Sequence, residues 1–141
     1  MNHDLTLTVS DIINAPVSSV WKALTDKEIV KKYFFGTELD TEWKVGKPIY
    51  FRGNWEGNTY EDKGTVLEYE EGKKLTYNYW STMSGTEDIP ENYAKITYAV
   101  EPNGQGTTLH IIQKGSKDEE AHEHSKESWA YIINELKKIV E

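Results

Sequence analysis

Residues 116–141, SKDEEAHEHSKESWAYIINELKKIVE, have the pattern of one long amphipathic helix. Ser116 and Glu119 have the spacing of a capping box, and the acidic residues around them suit the positive end of a helix dipole. An apolar face then recurs at helical spacing, formed by Trp129, Ile132, Ile133, Leu136, Ile139 and Val140. About 23 residues at about 1.5 Å each predict a helix of ~35 Å, long enough to cross a domain of this size.

The segment before this helix alternates between polar and apolar residues, which is typical of half-buried strands. Six strands are predicted, near Thr37–Glu42, Pro48–Arg52, Thr59–Glu70, Leu75–Ser81, Glu91–Glu101 and Thr107–Lys114. Asn103 and Gly104 mark the clearest turn, because an Asn-Gly step favours the positive dihedrals of a tight hairpin. The connections are too short for crossovers, so the strands are expected to be antiparallel.

A seventh strand and two short helices are predicted in the first 36 residues. Leu5–Ile13 alternates as a strand, and Pro16 suits the first turn of a helix. Apolar residues follow at i, i+3, i+4 and i+7, namely Val17, Val20, Trp21 and Leu24. Thr25 and Glu28 have capping-box spacing, which predicts a second helix that ends near Gly36.

Composition narrows the classes of function. The sequence of 141 residues carries 16 basic and 24 acidic residues, a net charge of -8, which argues against nucleic acid and anionic membrane surfaces as partners. It contains no cysteine, so disulfides and thiolate chemistry are excluded. No apolar run approaches the ~20 residues that span a bilayer. The N-terminal segment lacks the pattern of a signal peptide, and we expect a cytoplasmic protein.

The candidate site combines sheet aromatics with the N-terminal half of the last helix. Stepping back from Trp129 along its face gives Ser125, Ala121 and His122, which are small or polar where a packed sheet would favour large apolar groups. Tyrosine and tryptophan each offer a flat apolar ring with one polar group, which suits a pocket that binds a ring system by stacking and a few hydrogen bonds. The predicted ligand-binding residues are Tyr77, Tyr79, Tyr98, His122, Ser125 and Trp129. The alternatives are a helix end that projects into solvent and aromatics that pack only as core.

Signatures of catalysis or metal binding are missing from the sequence. His122 and His124 are two residues apart, roughly 200° around a helix, and cannot chelate one ion. No H-E-x-x-H or G-x-S-x-G pattern occurs, and no glycine pair precedes a helix as in a nucleotide cradle. The sequence therefore predicts no metal, no cofactor and no catalytic residue, and it favours binding over enzymatic activity.

Three other features have two interpretations each. Arg52 could pair with a ligand carboxylate or, more simply, with acidic neighbours. Adjacent carboxylates such as Glu61-Asp62 diverge on a regular element and are interpreted as solvated faces. The loop from Ser81 to Asn92 could close as a lid over the cavity or be a surface ornament.

Short stretches of the sequence, together with the order of the predicted strands and helices, resemble a known family. The opening helices contain Ala15-Pro16, Val20-Trp21, Ala23-Leu24-Thr25-Asp26 and Tyr33-Phe34, and later matches include Gly64-Thr65-Val66, Gln113 and Ile133-Asn134-Glu135-Leu136-Lys137. The chain resembles the START-like (SRPBCC) superfamily, and within it the bacterial single-domain relatives of the activator of the heat-shock-protein-90 ATPase. It departs from that pattern at Asn78-Tyr79, where a Thr-Trp pair is usual.

The resemblance implies a fold and a theme of function. The fold is α+β, the helix-grip fold, in which a curved seven-stranded antiparallel sheet with two short helices wraps around a long C-terminal helix. Residues 1–141 would form one START-like domain, without room for the additional N-terminal domain of the eukaryotic activators. The superfamily's common theme is a cavity for apolar small molecules.

Three functions remain open at this point. The leading expectation is non-enzymatic binding of a hydrophobic or aromatic small molecule, or a lipid, between the sheet and the C-terminal helix. The alternative is a protein-interaction or chaperone-regulatory module that uses the acidic surface and the first helices. A cofactor-free enzyme of the cyclase kind is the second alternative, because the sites of such enzymes have no local signature.

Overall fold

A computed structural model describes residues 6–34, 36–55, 57–81, 87–115 and 119–141, with the side chains of all these residues except 55, 58, 119 and 121. Its strands are β1 (Thr6–Ile13), β2 (Glu38–Thr41), β3 (Pro48–Trp55), β4 (Asn58–Glu70), β5 (Lys74–Tyr79), β6 (Ala94–Asn103) and β7 (Gly106–Lys114). Its α-helices are α1 (Val17–Thr25), α2 (Lys27–Tyr33) and α3 (Glu119–Val140), and one 3-10 turn spans Pro90–Asn92.

The seven strands form one antiparallel sheet in the order β1-β7-β6-β5-β4-β3-β2. Strands β2 to β7 follow one another as a meander, and β1 closes the far edge by pairing with β7. Helices α1 and α2 carry the chain from that edge to β2 at the opposite one. This arrangement confirms the predicted helix-grip fold, in which the curved sheet surrounds a long C-terminal helix.

The core lies on the concave face of the sheet, beneath α3. Its sheet members include Leu75, Tyr77, Ile96, Tyr98, Val100, Leu109 and Ile111. Helix α3 contributes Trp129, Ile132, Ile133 and Leu136, as the predicted apolar face requires. At the end of that face Val140 packs partly buried against the core, whereas Ile139 is 39% exposed, contrary to prediction. None of the helices in the described ranges is long and apolar enough to cross a membrane.

The start of α2 differs from the predicted capping box. Asp26, not Thr25, is the N-cap, and its Oδ1 accepts hydrogen bonds from the backbone N–H groups of Glu28 at 2.9 Å and Ile29 at 3.4 Å. The hydroxyl of Thr25 instead donates to the carbonyl of Trp21 within α1. Because α1 ends at Thr25, the next residue is the one with extended dihedrals, and its carboxylate is free to cap. The predicted Ser116 cap lies outside the described residues.

The β6–β7 hairpin turns one residue later than predicted. Asn103 pairs with Gly106 as the last rung of the ladder, so the two-residue loop is Gly104 and Gln105. Gly104 has a φ of 61°, whereas Gln105 does not have a positive φ. A positive φ at the first loop position alone is the requirement of a type II′ turn, which explains the glycine.

The pairing of β4 with β5 is irregular near Asn78, one of the two residues at which this chain departs from the family pattern, and the side chain of Asn78 has a role there. The register shifts between Val66 and Glu68. Nearby, Oδ1 of Asn78 accepts a 2.6 Å hydrogen bond from the backbone N–H of Thr65. A side chain at Gly64 would overlap the carbonyl oxygen of Asn78, so the two strands can approach this closely only at a glycine.

Candidate functional site

A cavity of about 520 Å³ lies between the sheet and the N-terminal half of α3. Its apolar wall is formed by Phe34, Phe51, Tyr77, Ile96, Trp129 and Ile132. Its polar groups are Thr37, Tyr60, Asp62, Tyr79, Gln113, His124, Ser125 and Ser128. Most of the surface that these residues expose to the cavity is apolar, since the rings of Tyr60 and Tyr79 add to the apolar wall. An apolar cavity of this volume with convergent polar groups is the usual form of a small-molecule site.

Four of the six residues predicted to bind ligand lie together on this wall. They are Tyr77 and Tyr79 on β5 and Ser125 and Trp129 on α3. The alternation of β5 places both tyrosines on the concave face, and the four-residue step of α3 stacks the serine above the indole. These positions on α3 and β5 therefore line the cavity, and their contact with a ligand stays a prediction.

Tyr98 does not line the cavity, contrary to prediction. It is 5% exposed and lies behind Tyr77, with their hydroxyls 2.8 Å apart and their rings edge to face at 5.7 Å. In the β5–β6 ladder Tyr77 is paired with Ile96, so Ile96 occupies the cavity position and Tyr98 lies one rung deeper. Burial raises the pKa of Tyr98 above its ordinary value, so this hydroxyl stays protonated.

His122 is also absent from the cavity wall, and His124 takes its place. The cavity-facing stripe of α3 consists of positions 124, 125, 128, 129 and 132, which a helix brings to one side. His122 lies off that stripe. Its Nδ1 is buried and has no hydrogen-bond partner among the described residues.

Asp62 is the main residue that the sequence interpretation missed. It was assigned to a solvated pair of carboxylates with Glu61, yet it is 7% exposed and lines the cavity. The alternation of β4 is the sequence signal that could have identified it. Val66 is buried, and steps of two residues back from Val66 lead to Asp62 and Tyr60 on the same concave face. Glu61 points the other way and pairs with Arg52 at 2.7 Å.

The hydroxyl of Tyr79 donates a short hydrogen bond to Oδ2 of Asp62. The second carboxylate oxygen, Oδ1, is buried and has no hydrogen-bond partner in the described part of the chain. Burial first, and then the adjacent Asp62 carboxylate, raise the pKa of Tyr79 well above its ordinary value. Tyr79 is therefore a donor that holds one oxygen of Asp62, while the other oxygen is buried without a hydrogen bond from the described residues.

Gln113 organises the polar side of the cavity from β7. Its Oε1 accepts a 2.7 Å hydrogen bond from the indole Nε1 of Trp129, and its Nε2 donates to Oγ of Ser125 at 3.1 Å. One amide thus fixes two residues of α3 that are a single turn apart. Both ends of the amide are occupied, which also fixes the orientation of the indole ring.

Aromatic rings join the separate elements around the cavity. Phe34, just after α2, stacks on Phe51 of β3 at 5.8 Å and meets Trp129 of α3 edge to face at 6.0 Å. Phe51 in turn contacts the rings of Tyr77 at 5.5 Å and Tyr79 at 5.7 Å. A flat apolar ligand would meet ring faces and edges on several sides.

Tyr60 completes the wall beside β3. Its hydroxyl is 2.7 Å from that of Thr37, and its ring covers Gly53 on the neighbouring strand. A side chain at Gly53 would overlap the Tyr60 hydroxyl, so the missing Cβ is what lets the ring lie there.

The other features considered from the sequence fall outside the cavity. Arg52 pairs with Asp40 at 2.9 Å and with Glu61, and it lies over the ring of Tyr50, so its partners are protein groups. Among the residues described, no three His, Cys, Asp or Glu side chains cluster closely enough to hold a metal ion. The centre of the suggested lid, residues 82–86, lies outside the described residues.

Comparisons with known proteins agree with this architecture. Residues 14–141 match the model of the family described as activator of Hsp90 ATPase homolog 1-like protein. The solution structure of ChR145 from Cytophaga hutchinsonii is 37% identical, with 99% of this chain and 95% of that chain covered and a TM-score of 0.84. No curated protein matches this chain.

More distant structures share the fold alone. Protein CV1439 from Chromobacterium violaceum is 21% identical over 96% of each chain, with a TM-score of 0.79. DynU16, a protein of the dynemicin biosynthetic locus, is 18% identical with a TM-score of 0.79; 96% of this chain matches 46% of that one.

Proposed function

The chain belongs to the family of activator of Hsp90 ATPase homolog 1-like proteins, and we propose that it binds a hydrophobic, aromatic small molecule in the cavity between sheet and α3. The observation that carries the proposal is the wall of aromatic rings around about 520 Å³ of space. We propose further that residues 1–141 act as a single domain and that binding occurs without chemical conversion.

The energetics of the wall support binding of this kind. Burial of apolar surface contributes roughly 25 cal/mol per Å², so a ligand that buries about 250 Å² of apolar area gains ~6 kcal/mol before the entropic cost of association. Edge-to-face and stacked contacts with Phe34, Phe51 and Trp129 would add to this for a planar ring system. We place this binding in the cytoplasm, in keeping with a sequence that has no cysteine for disulfides.

The test is an NMR titration of ¹⁵N-labelled protein with flat aromatic probes, the first of them the neutral 2-(2-naphthyl)ethanol. We expect saturable shifts at the indole N–H of Trp129 and at the amides of β5 and α3. The indole of Trp21, which is bonded to Tyr69 away from the cavity, should stay unshifted. A well-dispersed spectrum with no saturable shift for any flat aromatic probe would overturn the proposal.

A matched pair of variants locates the binding. Ser128→Phe places a ring in the cavity, whereas Ser18→Phe places the same ring on the exposed face of α1. We expect Ser128→Phe to weaken probe affinity by about tenfold or more, since a filled cavity excludes the ligand. Ser18→Phe should leave the affinity unchanged. Equal affinity in both variants would place the probe elsewhere.

The family description supports a second candidate, regulation of a chaperone ATPase through protein contact. The net charge of -8 would then contribute to recognition of a basic surface on the chaperone. A pull-down with the purified chaperone at low and at high salt tests this, because contacts between exposed charges weaken as ionic strength rises. Absence of the chaperone at both salt concentrations would count against it.

A further inference from the structure

Asp62 lines the cavity, and one of its carboxylate oxygens accepts no hydrogen bond from the described residues. The side chain is 7% exposed, its Oδ2 accepts from Tyr79, and its buried Oδ1 has no partner among the described residues. A buried polar atom without a hydrogen bond is costly, and a buried carboxylate especially so. Such an atom in the wall of a ligand cavity is explained when the ligand supplies the missing donor.

Several other polar groups of the cavity are hydrogen-bonded to one another. The hydroxyl of Tyr60 is paired with that of Thr37, and the amide of Gln113 is bonded to Trp129 and Ser125. In the structure none of these groups donates to Oδ1, so a ligand donor that pairs with Oδ1 would displace no existing hydrogen bond. A rotation of the side chains around Oδ1 would give an incoming donor access, as side chains at binding sites commonly rotate on association.

The described residues that line the cavity include a carboxylate but neither a lysine nor an arginine. His124, which also lines it, is an exposed group near the helix start. Asp62 is the one carboxylate among the same lining residues, in a chain of net charge -8. In this field a cationic ligand is attracted and a carboxylate is repelled, most strongly where water is excluded.

We propose that the ligand of this cavity carries a hydrogen-bond donor, foremost a protonated amine, that pairs with Oδ1 of Asp62 while its apolar rings lie against Phe51, Tyr77 and Trp129. This rests on the proposed function and adds the ligand's chemical class to it. The same cavity discriminates against aromatic and fatty carboxylates. The hydroxyl of Tyr79 holds Oδ2, the other oxygen of the same carboxylate.

The test compares three probes that share a ring and a chain length: 2-(2-naphthyl)ethylamine, 2-(2-naphthyl)ethanol and 2-naphthylacetate. Affinities are measured by NMR titration or calorimetry at pH 7. We expect the amine to bind about tenfold or more tightly than the alcohol, since hydrogen bonds to charged groups are worth that much. The acetate should bind most weakly of the three.

Two isosteric variants separate contact from overall charge. In Asp62→Asn the amine should lose most of its advantage, to within about threefold of the alcohol, while the alcohol itself keeps its affinity. Glu61→Gln makes the same change of net charge one residue away, on the outer face, and should preserve the full selectivity. The wild-type ranking tests the proposal even if Asp62→Asn fails to fold.

The outcomes distinguish this inference from the proposed function. Equal affinities of the three probes for the wild type, or selectivity that survives Asp62→Asn, would overturn the role of Asp62 and leave aromatic binding intact. A loss of selectivity in Glu61→Gln as large as in Asp62→Asn would assign the effect to net charge and also overturn it. Absence of binding by all three probes would instead count against the proposed function.

Discussion

The indole Nε1 of Trp129 donates a 2.7 Å hydrogen bond to Oε1 of Gln113, which joins α3 to β7 at the wall of the cavity. The other end of the same amide donates to Ser125. The long helix is therefore attached to the sheet by apolar packing in its C-terminal half and by this polar bridge beside the cavity.

Replacement of Gln113 by leucine should destabilise the protein by ~1–2 kcal/mol. The indole N–H of Trp129 is buried and would lose its acceptor, and an unsatisfied buried donor costs about that much. The free energy of unfolding from urea titration measures the effect.

A double-mutant cycle with Trp129→Phe controls for the change in packing. In the Trp129→Phe background no indole donor exists, so Gln113→Leu should cost ~1 kcal/mol less than in the wild type. Additive effects of the two substitutions would show that the bridge contributes nothing to stability.

Two glycines in neighbouring strands should respond differently to alanine. A Cβ at Gly64 meets the backbone carbonyl of Asn78, which can move only if β4 and β5 separate, so Gly64→Ala should destabilise by ~3 kcal/mol. The nearest atoms to a Cβ at Gly53 belong to the ring and hydroxyl of Tyr60, a side chain that can move. Gly53→Ala should therefore cost ~1 kcal/mol and move that ring.

Urea unfolding of both variants, with the aromatic NMR signals of Tyr60 as a second readout, checks the contrast. A Gly53→Ala variant that is less stable than Gly64→Ala would contradict the assignment of backbone overlap to Gly64.

The fold was predictable because its signals are local. Strand alternation, the turn glycine at 104, and the apolar face from Trp129 to Leu136 each depend on a few adjacent residues. The errors at Thr25 and Asn103 are single-residue shifts, since a cap or a turn is decided by dihedrals that the residue types only bias.

The site was less predictable, because it depends on registers between distant strands. Alternation puts Tyr98 on the same face of the sheet as Tyr77. The strand register is what shows that Ile96 lies beside Tyr77 at the cavity and that Tyr98 lies behind Tyr77 in the core. The interpretation of Glu61 and Asp62 as a solvated pair is wrong for Asp62. The two-residue alternation of β4 puts Asp62 on the same face as buried Val66. Phe34 and Phe51 meet across elements that no local pattern brings together.

Buried tyrosines should make the protein sensitive to alkali. Burial raises the pKa values of Tyr33, Tyr77, Tyr79 and Tyr98 above the ordinary value. Their protonated forms are favoured in the folded state, so this contribution is complete below about pH 10 and is lost as pH rises toward the folded pKa values. Above about pH 10.5 each such tyrosine should lower the free energy of unfolding by ~1.4 kcal/mol per pH unit.

Absorbance of tyrosinate and near-UV circular dichroism, followed together from pH 9 to 12.5, measure this. The buried tyrosines should ionise in the same step in which tertiary structure is lost. In Tyr98→Phe one of the buried hydroxyls is missing, so the free energy of unfolding should fall less steeply with pH than in the wild type. Gradual ionisation of all nine tyrosines with the structure retained would contradict the prediction.

Asp62→Asn should leave the ligand-free protein as stable as the wild type, or stabilise it by ~1 kcal/mol. The asparagine oxygen can still accept from Tyr79, while the unpaired charge is removed from a position that is 7% exposed. Tyr79→Phe should have the opposite effect and destabilise by ~1–3 kcal/mol, because both oxygens of Asp62 then lack a donor. Thermal and urea unfolding without ligand give both values.

Glu61→Gln is the control for charge, because it removes a carboxylate that pairs with Arg52 at the surface and should change stability by no more than ~0.5 kcal/mol. A carboxylate that recognises a ligand must be held in place by the protein, yet it lowers the stability of the ligand-free protein because its missing hydrogen bond forms only on binding. Asp62, which is held by Tyr79, is expected to have both properties. Destabilisation of Asp62→Asn by more than about 1 kcal/mol would mean that Asp62 is a structural partner of Tyr79 and that its second oxygen is not reserved for a ligand.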